Sequence, residues 1–137
     1  MRFMAIVKAT QDSEAGVLPT SEEFAEMGRF NEGLIKAGMM ETGEGLHPTA
    51  RGARIDFSAG EPRVAHGPFK DTGDLVGGYW IIKAASLDQV IDAMTRAPFP
   101  SGQVEIRRIY AAEDFGEALT PELRAQEDRL RALAGNG

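Results

Sequence analysis

The chain has no cysteine and only two histidines, His47 and His66, among its 137 residues. The lack of cysteine excludes disulfide scaffolds, thiolate nucleophiles, iron–sulfur clusters and Cys-ligated zinc. Two histidines restrict any metal site to mostly carboxylate ligands, and the reading carries no metal and no cofactor. Basic charge is also scarce: 15 Lys and Arg face 21 Asp and Glu, for a net charge of −6. That balance argues against a nucleic-acid partner, because phosphate contact needs basic patches. Long apolar runs are missing too. The stretch from Phe3 to Val7 is too short for a signal h-region or a membrane span, so neither a membrane partner nor export is expected. Phosphate-cradling glycine loops and a Gly-x-Ser-x-Gly elbow are absent. A cytoplasmic location is the default.

A hydrophobic fraction of 42% is enough for a real core, and the length suits one domain. Phe3 to Val7 reads as a buried strand, and residues 10–19 read as a loop. Thr20-Ser21-Glu22-Glu23 forms a capping box, and apolar residues follow at helical spacing through Phe24, Met27, Phe30, Leu34 and Ile35. This predicts a helix over about 20–37, with Gly38 just past its end. Residues 39–46 read as a short or bulged strand weakened by Gly43 and Gly45. Ala53–Phe57 and Arg63–Ala65 form a hairpin around Ser58-Ala59-Gly60-Glu61. A polar loop spans His66 to Val76, and a strongly apolar strand follows over residues 77–84. Ser86-Leu87-Asp88-Gln89 opens a second amphipathic helix as another capping box, and Pro98 ends it. Val104, Ile106, Ile109 and Tyr110 mark a last strand.

The order β-α-β-β-β-α-β, with strand–helix–strand halves around a central hairpin, predicts an α+β, ferredoxin-like split βαβ fold with an antiparallel sheet. Two helices cover one face of such a sheet. A second copy packed sheet to sheet is the simplest cover for the other face, which predicts a homodimer. Beyond the core of residues 1–110, the tail from Ala111 to Gly137 carries six acids and three arginines, half of the net charge of the whole chain. Thr120-Pro121 starts a C-terminal helix there, with Leu119, Leu123, Leu130 and Leu133 as a sparse stripe. The tail is expected to belong to the same compact unit, docked on its own or a neighbouring subunit, with recruitment of a partner as the sharper alternative.

The loop His66-Gly67-Pro68-Phe69-Lys70-Asp71-Thr72-Gly73-Asp74 concentrates polar chemistry. Gly-Pro stiffens the backbone there. A histidine that titrates near neutrality, oriented by Asp71 or Asp74, makes an acid–base pair. The plainer reading is a solvated hairpin loop. Glu105 and Arg107 share one strand face, where Arg107 can hold a small anionic metabolite, or the two can form a structural ion pair. Phe69, Lys70 and Trp80 complete the candidate binding residues. His47 reads as a surface or capping histidine.

His66-Gly67-Pro68-Phe69, followed by Asp71, Asp74 and Gly77-Gly78-Tyr79, resembles the signature of the YCII-related, or DGPF-domain, family. The family motif reads Asp-Gly-Pro-Phe-Ala-Glu-Thr-Lys-Glu before a Gly-Gly-Tyr strand. Gly67, Pro68, Phe69 and Thr72 match it, and Asp71 and Asp74 stand where the family has Glu. His66 replaces the leading Asp, Lys70 the Ala and Gly73 the Lys. The Met-Arg-Phe-Met start, Gly38, Glu44-Gly45-Leu46 with Pro48, Ser86-Leu87-Asp88 and Val104-Glu105-Ile106-Arg107 extend the resemblance over residues 1–110. The resemblance implies a ferredoxin-like subunit in a dimeric α+β barrel, with a cleft near each sheet. It also implies a largely undefined biochemistry: a His–Asp pair suggests catalysis in some members, while others accompany sigma-factor genes or domains. An acid at the first motif position does not carry over, because His66 stands there. Two functions follow as expectations. One is a cofactor-independent acid–base enzyme of lyase, isomerase or hydrolase type. The other is a non-catalytic binding or regulatory module acting through its dimer or its C-terminal helix.

Overall fold

The computed structural model describes residues 1–70 and 73–135. Four strands form the main sheet: β1 (Arg2–Lys8), β2 (Met40–Gly45), β5 (Val76–Lys83) and β6 (Val104–Arg108). Their order is β2-β5-β1-β6, and every neighbouring pair is antiparallel. Helix α2 (Ser21–Lys36) links β1 to β2, and α3 (Leu87–Met94) links β5 to β6. The two strand–helix–strand units therefore interleave, which is the ferredoxin-like arrangement. The hairpin strands β3 (Ala53–Asp56) and β4 (Arg63–His66) do not join this sheet. They form a separate two-stranded sheet in which every residue is exposed.

Alternation along β1 and β5 decides which side chains hold the fold. Phe3, Ala5, Trp80 and Ile82 face the helices and cluster with Leu34 of α2 and with Val90, Ala93 and Met94 of α3. Ile82 and Val90 are 0% exposed. The residues between them, Met4 and Ile6 on β1 and Tyr79 and Ile81 on β5, point to the face that neither helix covers. Ile81 is only 7% exposed there, flanked by Met4 and Thr42 on the adjacent strands.

Local signals shape the ends of the elements. Thr20 Oγ1 accepts from the Glu23 amide at 3.1 Å, and Glu23 Oε1 accepts from the Thr20 amide at 3.3 Å, so the predicted capping box is in place. Gly38 takes φ +70° just past α2, where L residues are strained. In β2 the register slips between Met40 and Thr42, the expected bulge.

Four sequence readings need correction. The stretch 10–19 is not all loop. Thr10 and Ser13 cap one another around a short helix, α1 (Gln11–Glu14), whose four residues carry no helical period to detect. Ser86 caps Gln89 as predicted, but the Gln89 side chain accepts from the Ala85 amide instead of closing the box. Helix α3 stops at Met94 with Thr95 as its cap, before Pro98 is reached. The last strand ends at Arg108, short of Ile109 and Tyr110.

After a short 3₁₀ segment over Ala112–Ala118, helix α4 (Pro121–Gly135) begins with Thr120 Oγ1 accepting from the Leu123 amide, as the Thr-Pro signal predicts. None of its residues is buried, and Leu123, Leu130 and Leu133 remain exposed. Among the described residues, no helix is long and apolar enough to cross a membrane.

Candidate functional site

The signature loop is fastened through its backbone. The Gly67 amide donates to the Gly52 carbonyl at 3.0 Å, and the Phe69 amide donates to Thr49 Oγ1 at 3.0 Å. Thr49 is in turn held by Glu14, whose two carboxylate oxygens accept from the Thr49 amide (3.0 Å) and hydroxyl (2.6 Å). The backbone at Gly67 lies so close to the Thr49 carbonyl that an added Cβ would collide with it. Only glycine fits there. The Gly67–Pro68 peptide is cis. The Arg54 guanidinium stacks over the Phe69 ring at 4.0 Å.

The predicted acid–base residues sit around this anchored segment. His66 is exposed at the end of β4, opposite Ala53. Asp74 is exposed just before β5, and Lys70 is exposed beside Phe69. Among the described residues, none of these three side chains makes a hydrogen bond or ion pair. Asp71 lies outside the described residues.

Arg107 and Glu105 lie on the uncovered face of β6, opposite Met4 and Ile6. Arg107 Nη1 is 3.5 Å from Glu105 Oε2, and Lys8 Nζ is 3.6 Å from Glu105 Oε1. The three charges form a rim beside the apolar side chains of that face, with Glu105 and Arg107 exposed and Lys8 half-buried. Pairs of this kind contribute little to stability, roughly 0–1 kcal/mol each.

Trp80 is the predicted binding residue that meets a cavity. Its indole lies in the core between Phe30 and Phe99, edge-on to both, at centroid distances of 5.8 and 6.0 Å. Its Nε1 donates to Asn31 Oδ1 at 2.9 Å, which satisfies the one polar atom that burial would otherwise strand. Beside it, a cleft of about 220 Å³ opens between α2 and β2, with Met27, Asn31, Trp80 and Phe99 as its walls. Edge strand β2 contributes two glycines to this cleft. A Cβ on Gly43 would stand 2.7 Å from Trp80 Cδ1, so Gly43 lets the indole lie against the strand. Gly45 has no neighbour within 4 Å, and its bare backbone leaves the mouth open.

Sequence reasoning read these glycines only as weakness in a strand. It also missed Met27, Asn31 and Phe99 as cleft residues, and Glu14 and Thr49 as supports of the loop. Alternating glycines beside a tryptophan strand were the only available signal. A larger groove of about 1250 Å³ separates the Met1–Arg2 end of β1 from α4, with Arg108, Tyr110 and Phe115 on its walls.

Known proteins similar to this chain bear on its family. A relative in Rhizobium meliloti (strain 1021), an uncharacterized protein, is 34% identical over 76 residues, which span 53% of this chain and 61% of that protein. Among solved structures, the 5-chloro-2-hydroxyhydroquinone dehydrochlorinase TftG from Burkholderia phenoliruptrix AC1100, in complex with 2,5-dihydroxybenzoquinone, is 18% identical with a TM-score of 0.46, over 83% of this chain and 98% of that one. The YCII-related domain profile matches residues 1–113, which take in the whole sheet, both covering helices and the signature loop. The chain belongs to the YCII-related domain family.

Proposed function

We propose that the chain binds a small molecule in the Trp80 cleft and, as a homodimer, performs cofactor-independent acid–base chemistry on it. The cleft carries this reading. A cavity of about 150 Å³ with apolar walls admits one benzene ring. The volume of about 220 Å³ here suits a substrate of that size. The cleft and the His66 loop meet the same end of the sheet: Gly45 pairs with Gly78, and the loop runs through Leu75 into Val76. His66 would move the proton, since its ring nitrogens have no partner among the described residues, and Asp71 or Asp74 would orient it. Phe69 and Lys70 would border the bound molecule. Arg107, beside Glu105 on the other face of the sheet and on the far edge strand, would hold only an anionic group bound at that face, apart from the cleft. Elimination, isomerisation and hydrolysis all suit such a set. The cytoplasm is the compartment this reading assumes.

The dimer rests on the one-sided cover of the sheet. Met4, Ile6, Tyr79 and Ile81 form an apolar centre with a charged rim, which suits a second copy packed face to face. Sedimentation equilibrium should give twice the chain mass of 14.8 kDa; a single-chain mass would end this part of the reading.

Trp80 is the one tryptophan, so its emission reports on the cleft directly. A panel of small ring and chain carboxylates should contain at least one that shifts this emission and slows acylation of His66 by diethyl pyrocarbonate. If no member does either, the cleft is not the site.

One observation favours a second reading, a non-catalytic binding or regulatory module. His66 borders neither cavity and has no carboxylate beside it among the described residues. A cleft ligand bound equally well by the parent chain and by His66→Ala, and chemically unchanged by both, would select this alternative.

A further inference from the structure

We infer that Glu14 and Thr49, which lie outside the signature motif, are positioning residues that fix the direction in which the loop presents His66. The inference rests on the proposed role of His66.

The hydrogen bonds have a direction. A threonine hydroxyl has one proton and two lone pairs. Thr49 Oγ1 lies 2.6 Å from Glu14 Oε2, the short separation of a hydroxyl donating to a carboxylate. That commits the proton and leaves a lone pair for the Phe69 amide at 3.0 Å. The second Glu14 oxygen takes the Thr49 amide at 3.0 Å, so the threonine cannot turn away. The carbonyl of the same Thr49 lies against the backbone of Gly67, and the Gly67 amide is tied to Gly52 at 3.0 Å. Gly67, against which the Thr49 carbonyl lies, immediately follows His66, and Phe69, which Thr49 Oγ1 holds, is three residues beyond His66.

The segment held this way contributes nothing to the core cluster. Neither the hairpin β3–β4 nor the loop from 66 to 70 supplies a member of it. A carboxylate and a hydroxyl recruited from 35 residues apart therefore serve the geometry of the loop and not the packing of the domain. Among the described residues the His66 side chain makes no hydrogen bond or ion pair, so it is the backbone that sets where the imidazole projects from.

The test needs no substrate. Amide hydrogen exchange is followed by NMR on the full chain, with Ile82 as the core reference, together with the ring resonances of His66. Thr49→Val keeps the shape and removes the acceptor. It should speed Phe69 exchange about tenfold, the scale of one lost hydrogen bond, and leave Ile82 unchanged. The His66 ring signals should move with it. Thr49→Ser keeps the hydroxyl and should restore both readouts. Glu14→Ala should shift them in the same direction, and it decides the matter if Thr49→Val does not fold. Unchanged Phe69 exchange in Thr49→Val and Glu14→Ala overturns the inference, and so does failure of Thr49→Ser to restore it. These outcomes are independent of the acid–base reading, which is judged separately by His66→Ala and the ligand panel.

Discussion

The two faces of the main sheet use the same strands for different ends. On β5, Trp80 and Ile82 turn inward to the helices, while Tyr79 and Ile81 turn outward. The inner face is closed by α2 and α3 and contains the residues with the least exposure. The outer face has an apolar centre and a rim of Lys8, Glu105 and Arg107, and lies opposite the side on which α2 and α3 pack. The contrast teaches that the core cluster is built on one face, while the other is the surface that the proposed dimer would use. The two faces should answer differently to substitution.

The largest effect is expected on the inner face. Ile82→Ala deletes three carbons from a side chain with 0% exposure and should cost about 4 kcal/mol, read as a lower denaturant midpoint at every protein concentration. On the outer face, Ile6→Asp should leave the unfolding of a single chain within about 1 kcal/mol of the parent. It should instead weaken association by about 3 kcal/mol, because a charge would be buried without a partner. Sedimentation equilibrium reads that as loss of the two-chain mass. If Ile6→Asp also lowers the unfolding midpoint of dilute protein as much as Ile82→Ala does, the division between the faces is wrong.

A third change sharpens the boundary at the sheet edge. Gly43→Ala puts a methyl 2.7 Å from Trp80 Cδ1, and the indole cannot yield while Asn31 holds Nε1 and Phe30 and Phe99 flank the ring. The cost should be about 2 kcal/mol, with a shifted Trp80 emission. Gly45→Ala, with open space around it, should leave the emission unchanged.

The smallest effect belongs to the hairpin, which is part of neither face. The Ser58 hydroxyl and then its amide donate to Asp56 and hold this carboxyl below its ordinary value of 3.8. A lowered folded pKa means the contribution is complete above pH 3.8 and is lost as the pH falls through the lowered value. The Ser58 amide resonance should titrate with a midpoint below 3.8, and a midpoint at or above it would contradict this.

What could be read from the sequence was local. Thr20 and Glu23 are three residues apart, and their reciprocal caps follow from spacing alone. The hairpin around Ser58 is likewise visible within a few residues, whereas which residues of the apolar strand β5 turn inward is not. The cleft was not visible, because the meaning of Gly43 depends on an indole arriving from the neighbouring strand. Glu14 was hidden for the same reason, since its partner Thr49 lies 35 residues away, beyond α2 and β2. Arg107 shows the intermediate case. Period two placed it beside Glu105, but no local rule could say that Lys8 would join them from β1.

The outer strands of the main sheet also limit how copies can meet. Among the described residues, β2 and β6 each lack a strand neighbour on one side, an invitation to edge-to-edge growth. On β2 the slip between Met40 and Thr42 spoils the regular ladder that an incoming strand would need. On β6 the crowding of Glu105, Arg107 and Arg108 in five residues sets charge along the rim. A ribbon that lengthens copy by copy is therefore discouraged at both sides. Association through the flat of the sheet has no such open end: once two surfaces have met, nothing equivalent remains for a third.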